Sequence, residues 1–134
     1  MGNRATIAEL TSLKQGVVPA VQAAGTIDGT GVSRRGFNEV LIALSIGVAT
    51  DDAATLDVKL QESATVGGTY TDVPSGALPQ KLGTADNTIT ELRVNLDDVA
   101  RLEFIRIRSV AAGTASFARS VDLVLARPHQ QPAT

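Results

Sequence analysis

The sequence predicts an all-β protein: a single-domain antiparallel β-sandwich, jelly-roll-like, of about eight strands, with an extended N-terminal arm and a C-terminal tail. Three observations predict it. Val, Ile and Thr are plentiful, several segments alternate polar with apolar residues, and turn-forming clusters built around many of the 12 glycines recur at short intervals. Together these describe short strands joined by tight turns. At 134 residues the chain fits one domain, and a chain of that size buries enough surface to hold a core without metal or disulfide staples. The expected division is residues 1–15 as the arm, 16–126 as the sandwich and 127–134 as the tail.

Taken in order, MGNRATIAELTSLKQ reads as a short helix around Ile7 to Leu13 or as an arm laid on a neighbour. GVVPAVQ (16–22) is a strand carrying Pro19, and proline, lacking a ladder donor, places it at a sheet edge. AGTIDGTG (24–31) is turn material. FNEVLIALSIGV (37–48) is the most apolar run, with Val40, Ile42, Leu44, Ile46 and Val48 on one face and Leu41, Ala43, Ser45 and Gly47 on the other. Such a strand is central and covered on both sides, or covered on one side and touching a partner on the other.

VKLQESATVGGTYTDV (58–73) reads as a hairpin. On its first strand, which starts at Thr55, Leu56, Val58 and Leu60 face inward and Asp57, Lys59 and Gln61 face solvent. PSGALPQKLGTADN (74–87) has two prolines and little periodicity, so it is expected as the longest loop. TITELRVNL (88–96) sends Leu92, Val94 and Leu96 inward; DDVAR (97–101) is a corner. LEFIRIRSV (102–110) sends Ile105 and Ile107 inward and Arg106 and Arg108 outward. Leu102 and Phe104 fall on the arginine side, so a bulge near Phe104 is expected to return them to the core. TASFARSVDLVLA (114–126) is the closing strand, with Val121, Leu123 and Leu125 on one face.

The chemistry available to this chain is narrow. It has no cysteine, and its one histidine, His129, lies in the tail between Pro128 and Gln130, so neither a zinc site of three or four ligands nor a Ser-His-Asp arrangement is supported. No catalytic residue, cofactor or metal is expected. The pairs Asp51-Asp52 and Asp97-Asp98 lack calcium-loop spacing and read as turn and capping residues. Glycines 25, 29, 31 and 36 are followed by no Gly-Lys-Ser/Thr and read as turn geometry rather than a phosphate cradle. With a net charge of −2, nucleic acid is not an expected partner. There is no 18-residue apolar run and no signal-peptide h-region, so no membrane association is expected either. Tyr70 is the one candidate platform for a sugar.

Arginine is the more informative residue, supplying nine of the 12 basic positions. Arg34 and Arg35 precede the most apolar strand, while Arg106 and Arg108 share a strand face with Arg93 expected nearby. Guanidinium forks pair with carboxylates and are favoured at protein interfaces, which points to an acidic protein partner.

The hairpin VKLQESATVGGTYTDV, preceded by FNEVLIALSIGVAT, resembles small virion proteins of tailed bacteriophages, and within them the head decoration, or cement, proteins with a jelly-roll fold. The resemblance spans roughly residues 16 to 126. It implies a non-enzymatic structural protein, made in the host cytoplasm and bound as a dimer or trimer on the outer surface of the capsid, where it bridges major capsid subunits. Head-tail joining or tail proteins share such sequences, and a glycan-binding sandwich is the reading from another class. The candidate contacts are Arg4, Ile7, Leu10 and Leu13 in the arm and Arg34, Arg35, Arg106 and Arg108 on the sandwich.

Overall fold

Alternating apolar residues on successive strands leave two half-buried sheets whose apolar faces can only be covered by each other. The computed structural model, which describes residues 10–50, 52–113 and 116–128, has that arrangement. Its strands are β1 (Thr11–Gln22), β2 (Gly25–Asp28), β3 (Val32–Ser33), β4 (Phe37–Ala49), β5 (Thr55–Ser63), β6 (Thr71–Ala77), β7 (Lys81–Leu82), β8 (Thr88–Asn95), β9 (Phe104–Ala112) and β10 (Phe117–Pro128). One sheet has the order β1-β10-β4-β8 and the other β2-β9-β5-β6, with β3 added to β9 and β7 to β5. Each of these pairings is antiparallel. If β2 with β3, and β6 with β7, are each counted as one broken strand, eight strands remain. The first pairs with the last and the last with the third in one sheet, and the second pairs with the seventh in the other, which is the nested pairing of a jelly roll.

The core lies between the sheets. Val40, Ile42, Leu44 and Ile46 of β4, with Val121, Leu123 and Leu125 of β10, face Leu56, Val58 and Leu60 of β5 and Ile105 and Ile107 of β9. The inward sets expected on these strands are buried, apart from Val48, which is exposed while Ala49 turns in. The cause is a bulge. Between the pairs Phe117↔Ala49 and Arg119↔Ile46, β4 advances one residue further than β10, and one extra residue reverses the facing of the residues beyond it.

β1 is an edge strand, and its register shifts twice, once around Gly16 and once across Val18 and Pro19. Pro19 sits in the second irregularity, where no ladder bond is forfeited. Strand β1 begins at Thr11, inside the segment expected as an arm. Residues 24–31, expected as a turn, instead contain β2, paired with β9 from Gly25↔Ala111 to Asp28↔Arg108. Gly25 and Gly36 take positive φ, as turn glycines do. Gly29 serves a different need: a Cβ there would fall on the carbonyl of Gly16, so glycine lets the sheet edges β1 and β2 close on each other.

Two further expectations fail. Residues 74–87 are not one long loop, because β6 runs to Ala77 and β7 pairs with Thr55 and Leu56. Pro74 is tolerated in β6 because the strand bulges between the pairs Gln61↔Asp72 and Lys59↔Ala77, while buried Val73 and Leu78 pin it on either side. No register shift occurs along β9, so Phe104 stays half-buried on the arginine side, stacked beside its partners Ser63 and Ser33. Asp97 and Asp98 do form a corner: the amide of Asp97 donates to Asn95 Oδ1, and that of Ala100 to Asp98 Oδ1.

Candidate interaction surface

Residues paired across antiparallel strands project to the same face, so the register states what each outer face carries. On the outside of β2-β9-β5-β6, one row reads Asp28, Arg108, Lys59 and the next Arg106, Gln61, Asp72. The rows interlock. Arg108 donates through Nε and an η nitrogen to both oxygens of Asp28, at 2.7 and 3.0 Å; Arg106 reaches the same carboxylate at 3.6 Å. Arg106 Nε donates to Gln61 Oε1 at 3.1 Å, Gln61 Nε2 to Asp72 at 2.9 Å, and Lys59 Nζ to the other oxygen of Asp72 at 2.9 Å. The Arg108 fork holds the Asp28 carboxyl below its ordinary value of 3.8 and in turn raises the Arg108 guanidinium. The Gln61 amide, with Lys59, lowers Asp72. Gln61, expected in solvent, is buried by this cover.

Tyr70 belongs to the same lattice. The Arg106 guanidinium lies 4.2 Å from its ring centroid, and its hydroxyl donates to the carbonyl of Val66. A cation thus occupies one ring face that a sugar would need. Gly31 packs directly against that hydroxyl and has no room for a Cβ.

Arg34 and Arg35 form a separate cluster. Arg34, 9% exposed, donates to the carbonyls of Leu102 and Phe37, and burial lowers its guanidinium from the ordinary value. Arg35 is exposed and pairs with Glu103 at 3.0 Å. The Ser33 hydroxyl, then Arg35, hold the Glu103 carboxyl below its usual value. Buried Glu62 accepts from Arg101 at 3.4 Å and from the amide of Leu102. Arg93, expected near Arg106, lies on the other sheet and pairs with Glu39, since β8 joins β4 and not β9.

The outside of β1-β10-β4-β8 is built differently. Its rows read Leu13, Val124, Leu41, Arg93; then Gln15, Asp122, Ala43, Glu91; then Ser120, Ser45, Ile89. Leu13, Val21 and Ile89 are 69, 67 and 70% exposed. Small residues leave an open groove of about 490 Å³ lined by Pro19, Val21, Ser45, Gly47, Ala118 and Ser120. Glu39 receives two guanidinium groups, Arg93 at 3.0 Å and Arg127 at 3.4 Å. Among the described residues, Asp122 and Glu91 have no ion-pair partner.

Of the predicted contacts, Arg4 and Ile7 lie outside the described residues. Leu10 is half-buried, Leu13 stands on the apolar face, Arg35 stands exposed, and Arg34, Arg106 and Arg108 spend their donors within the chain. Sequence reasoning missed Val124, Asp122 and Ile89. The signal was present on the closing strand, where Ala118, Ser120, Asp122, Val124 and Ala126 form an outward set of mostly small residues.

A further polar knot joins the sheets internally. Gln22 Oε1 accepts from Arg119 Nε at 2.9 Å and from the Ser109 hydroxyl at 2.7 Å, and its amide donates to the carbonyls of Ser109 and Gly25. Arg119, also bonded to the Val18 carbonyl, has its guanidinium lowered by burial. This knot closes one end of the core and offers nothing to a ligand. No group of three or more His, Asp or Glu gathers among the described residues to hold a metal, and no helix among them is long and apolar enough to cross a membrane.

No family model matches the sequence, and no curated protein does. Solved structures do match. The VP2 subviral particle of infectious bursal disease virus superposes with a TM-score of 0.55 at 14% identity, covering 88% of this chain and 33% of that one. The structure of the Gx strain of the same virus gives 0.58 at 10% identity, covering 92% and 33%. This chain therefore spans about a third of the length of either neighbour. At such identity the likeness is one of fold: a jelly-roll sandwich of the kind built into virus particles.

Proposed function

We propose that this chain is a non-enzymatic virion structural protein that binds the outer surface of a phage capsid and stabilises it by bridging major capsid subunits. The observation that carries the reading is the pairing of a virus-type jelly roll with a sheet whose outer face is shallow, exposes Leu13, Val21 and Ile89, and leaves Asp122 and Glu91 without an ion-pair partner among the described residues. A face of that kind suits cover by protein, and a groove open along its length suits neither a small substrate nor a cofactor. Many modest contacts repeated over a lattice hold through avidity rather than through one deep site. Leu13 and Arg35 are the best-placed of the predicted capsid contacts, because Leu13 is exposed and Arg35 makes only an exposed pair with Glu103, while Arg34, Arg106 and Arg108 are held more deeply within the chain.

Quantitative mass spectrometry of the purified particle tests this by counting copies per major capsid subunit. A ratio near a simple fraction of the capsid lattice is expected. A handful of copies per particle moves the protein to the neck or tail, and no copies overturns the virion reading.

A further inference from the structure

We infer that the outer face of the β1-β10-β4-β8 sheet is the contact between two copies of this chain, related by a two-fold axis that crosses the strands between the Leu41 row and the Ala43 row. The inference deepens the proposed capsid role by naming the first partner of the capsid-bound protein, and it rests on that role only for its biological setting.

The face is self-complementary. In a two-fold contact, residue i meets residue j and j meets i. A two-fold across the strands keeps each strand opposite its own copy and reverses the order of rows. Leu41 then lies on Ala43 of the second copy, large on small, and the reverse pair repeats it. On β8, Arg93 lies opposite Glu91 of the second copy, and again the pair occurs twice.

Arg93 and Glu91 are placed to do this. Arg93 shares Glu39 with Arg127, which leaves one guanidinium in excess at that end of the face, and its side chain is 76% exposed. Glu91 has no ion-pair partner among the described residues. Beside the axis Ala43 is small, and in the next row Ser45 and Ser120 leave room for Glu39 and Ala126 of the second copy. Two sheets stack about 10 Å apart when their side chains interdigitate.

Asp122 sets the strength. It lies at the centre of the face between Gln15 and Ala43, where the second copy brings Val124 and no cation. An unpaired carboxylate at that place weakens the pair. The contact is thus one that forms at the crowded concentrations of a lattice and dissociates on dilution.

Sedimentation equilibrium of the full chain up to millimolar concentration tests the inference, with thermal melts to show that each variant is folded. The wild type is expected to dimerise. Glu91→Arg and Arg93→Glu are each expected to weaken the dimer by about tenfold or more, and the double variant to recover most of the loss. Ala43→Arg should abolish it, while Asp122→Asn should tighten it by about tenfold. A wild type that stays monomeric, a dimer unaffected by Ala43→Arg, or a double variant no better than the single ones overturns the inference. A dimer with these properties in a protein absent from the particle refutes the capsid reading alone. A lattice ratio of copies with no dimer refutes only the two-fold contact.

Discussion

The two outer faces of this sandwich are both made of antiparallel strands, yet they solve opposite problems. Outside β2-β9-β5-β6, every long charged side chain has a partner one row or one strand away: Asp28 holds two arginines, Asp72 holds a lysine and an amide, and Arg106 caps Tyr70. Outside β1-β10-β4-β8, small residues with Leu41 and Val124 prevail on the central strands, Leu13, Val21 and Ile89 stand exposed on the edges, and Asp122 and Glu91 have no ion-pair partner among the described residues. A face whose polar atoms are satisfied within the chain gains little from a partner, since any new bond must replace an old one. A face that leaves apolar area in water gains about 25 cal/mol for each Å² covered. The difference teaches that density of charge, which drew attention to the arginines, marks here the face least in need of company.

The contrast between the faces stands or falls first on Arg106. Arg106→Ala removes the cation over Tyr70 and leaves buried Gln61 Oε1 without its donor, so it should cost about 2 kcal/mol in urea unfolding. A loss below about 0.5 kcal/mol would mean the lattice is not holding the fold, and the two faces would differ only in appearance.

Asp28→Asn should cost less, about 1 kcal/mol, because the Arg108 fork is partly exposed and screened. Its pH dependence is the sharper measurement. The native carboxyl lies below its ordinary value of 3.8, so the unfolded chain binds the extra proton and stability rises with pH through that window. The stabilisation is complete above the ordinary value and is lost as pH falls through the lowered one. Wild type and Asp28→Asn should therefore converge in acid and separate above about pH 5. A gap that persists at low pH would show that the Asp28 contact acts through packing rather than charge.

Lys59→Ala, which removes one exposed pair to Asp72, should change stability by about 0.5 kcal/mol or less. Ile89→Ser, on the other face, should leave the dilute monomer within about 0.5 kcal/mol of wild type, because Ile89 is exposed and touches little until the face is covered. If Ile89→Ser destabilises the monomer more than Arg106→Ala does, the assignment of the faces is reversed.

Much of the fold was legible because period-two patterning is enforced by burial. Val40 to Ile46, Leu56 to Leu60 and Val121 to Leu125 face the core as their alternation requires, and Pro19 marks its edge strand. The misses have local causes. Val48 was lost to a one-residue bulge, the second half of β6 was read as loop because a proline at position 74 reads as a strand end, and β2 was hidden among glycines. The candidate surface was legible only in part. The small outward residues Ala43, Ser45 and Gly47 hinted at a partner for β4, but nothing local told that β10 and β8 would flank it with Ser120 and Ile89.

What the sequence determined by itself is which residues face inward along the regular stretches of β4, β5, β9 and β10, the all-β class and the poverty of catalytic groups, because these depend on side-chain type and near-neighbour spacing. What only the tertiary structure decided is strand order, and with it every partner on the surface. Arg93 and Arg106 are 13 residues apart in chain and similar in chemistry, yet one meets Glu39 and the other Asp28 and Tyr70. The reason is that cross-strand neighbours come from distant segments, as with Asp28 and Arg108. Their pairing is chosen by how the two sheets bury their common core, and no local pattern encodes it.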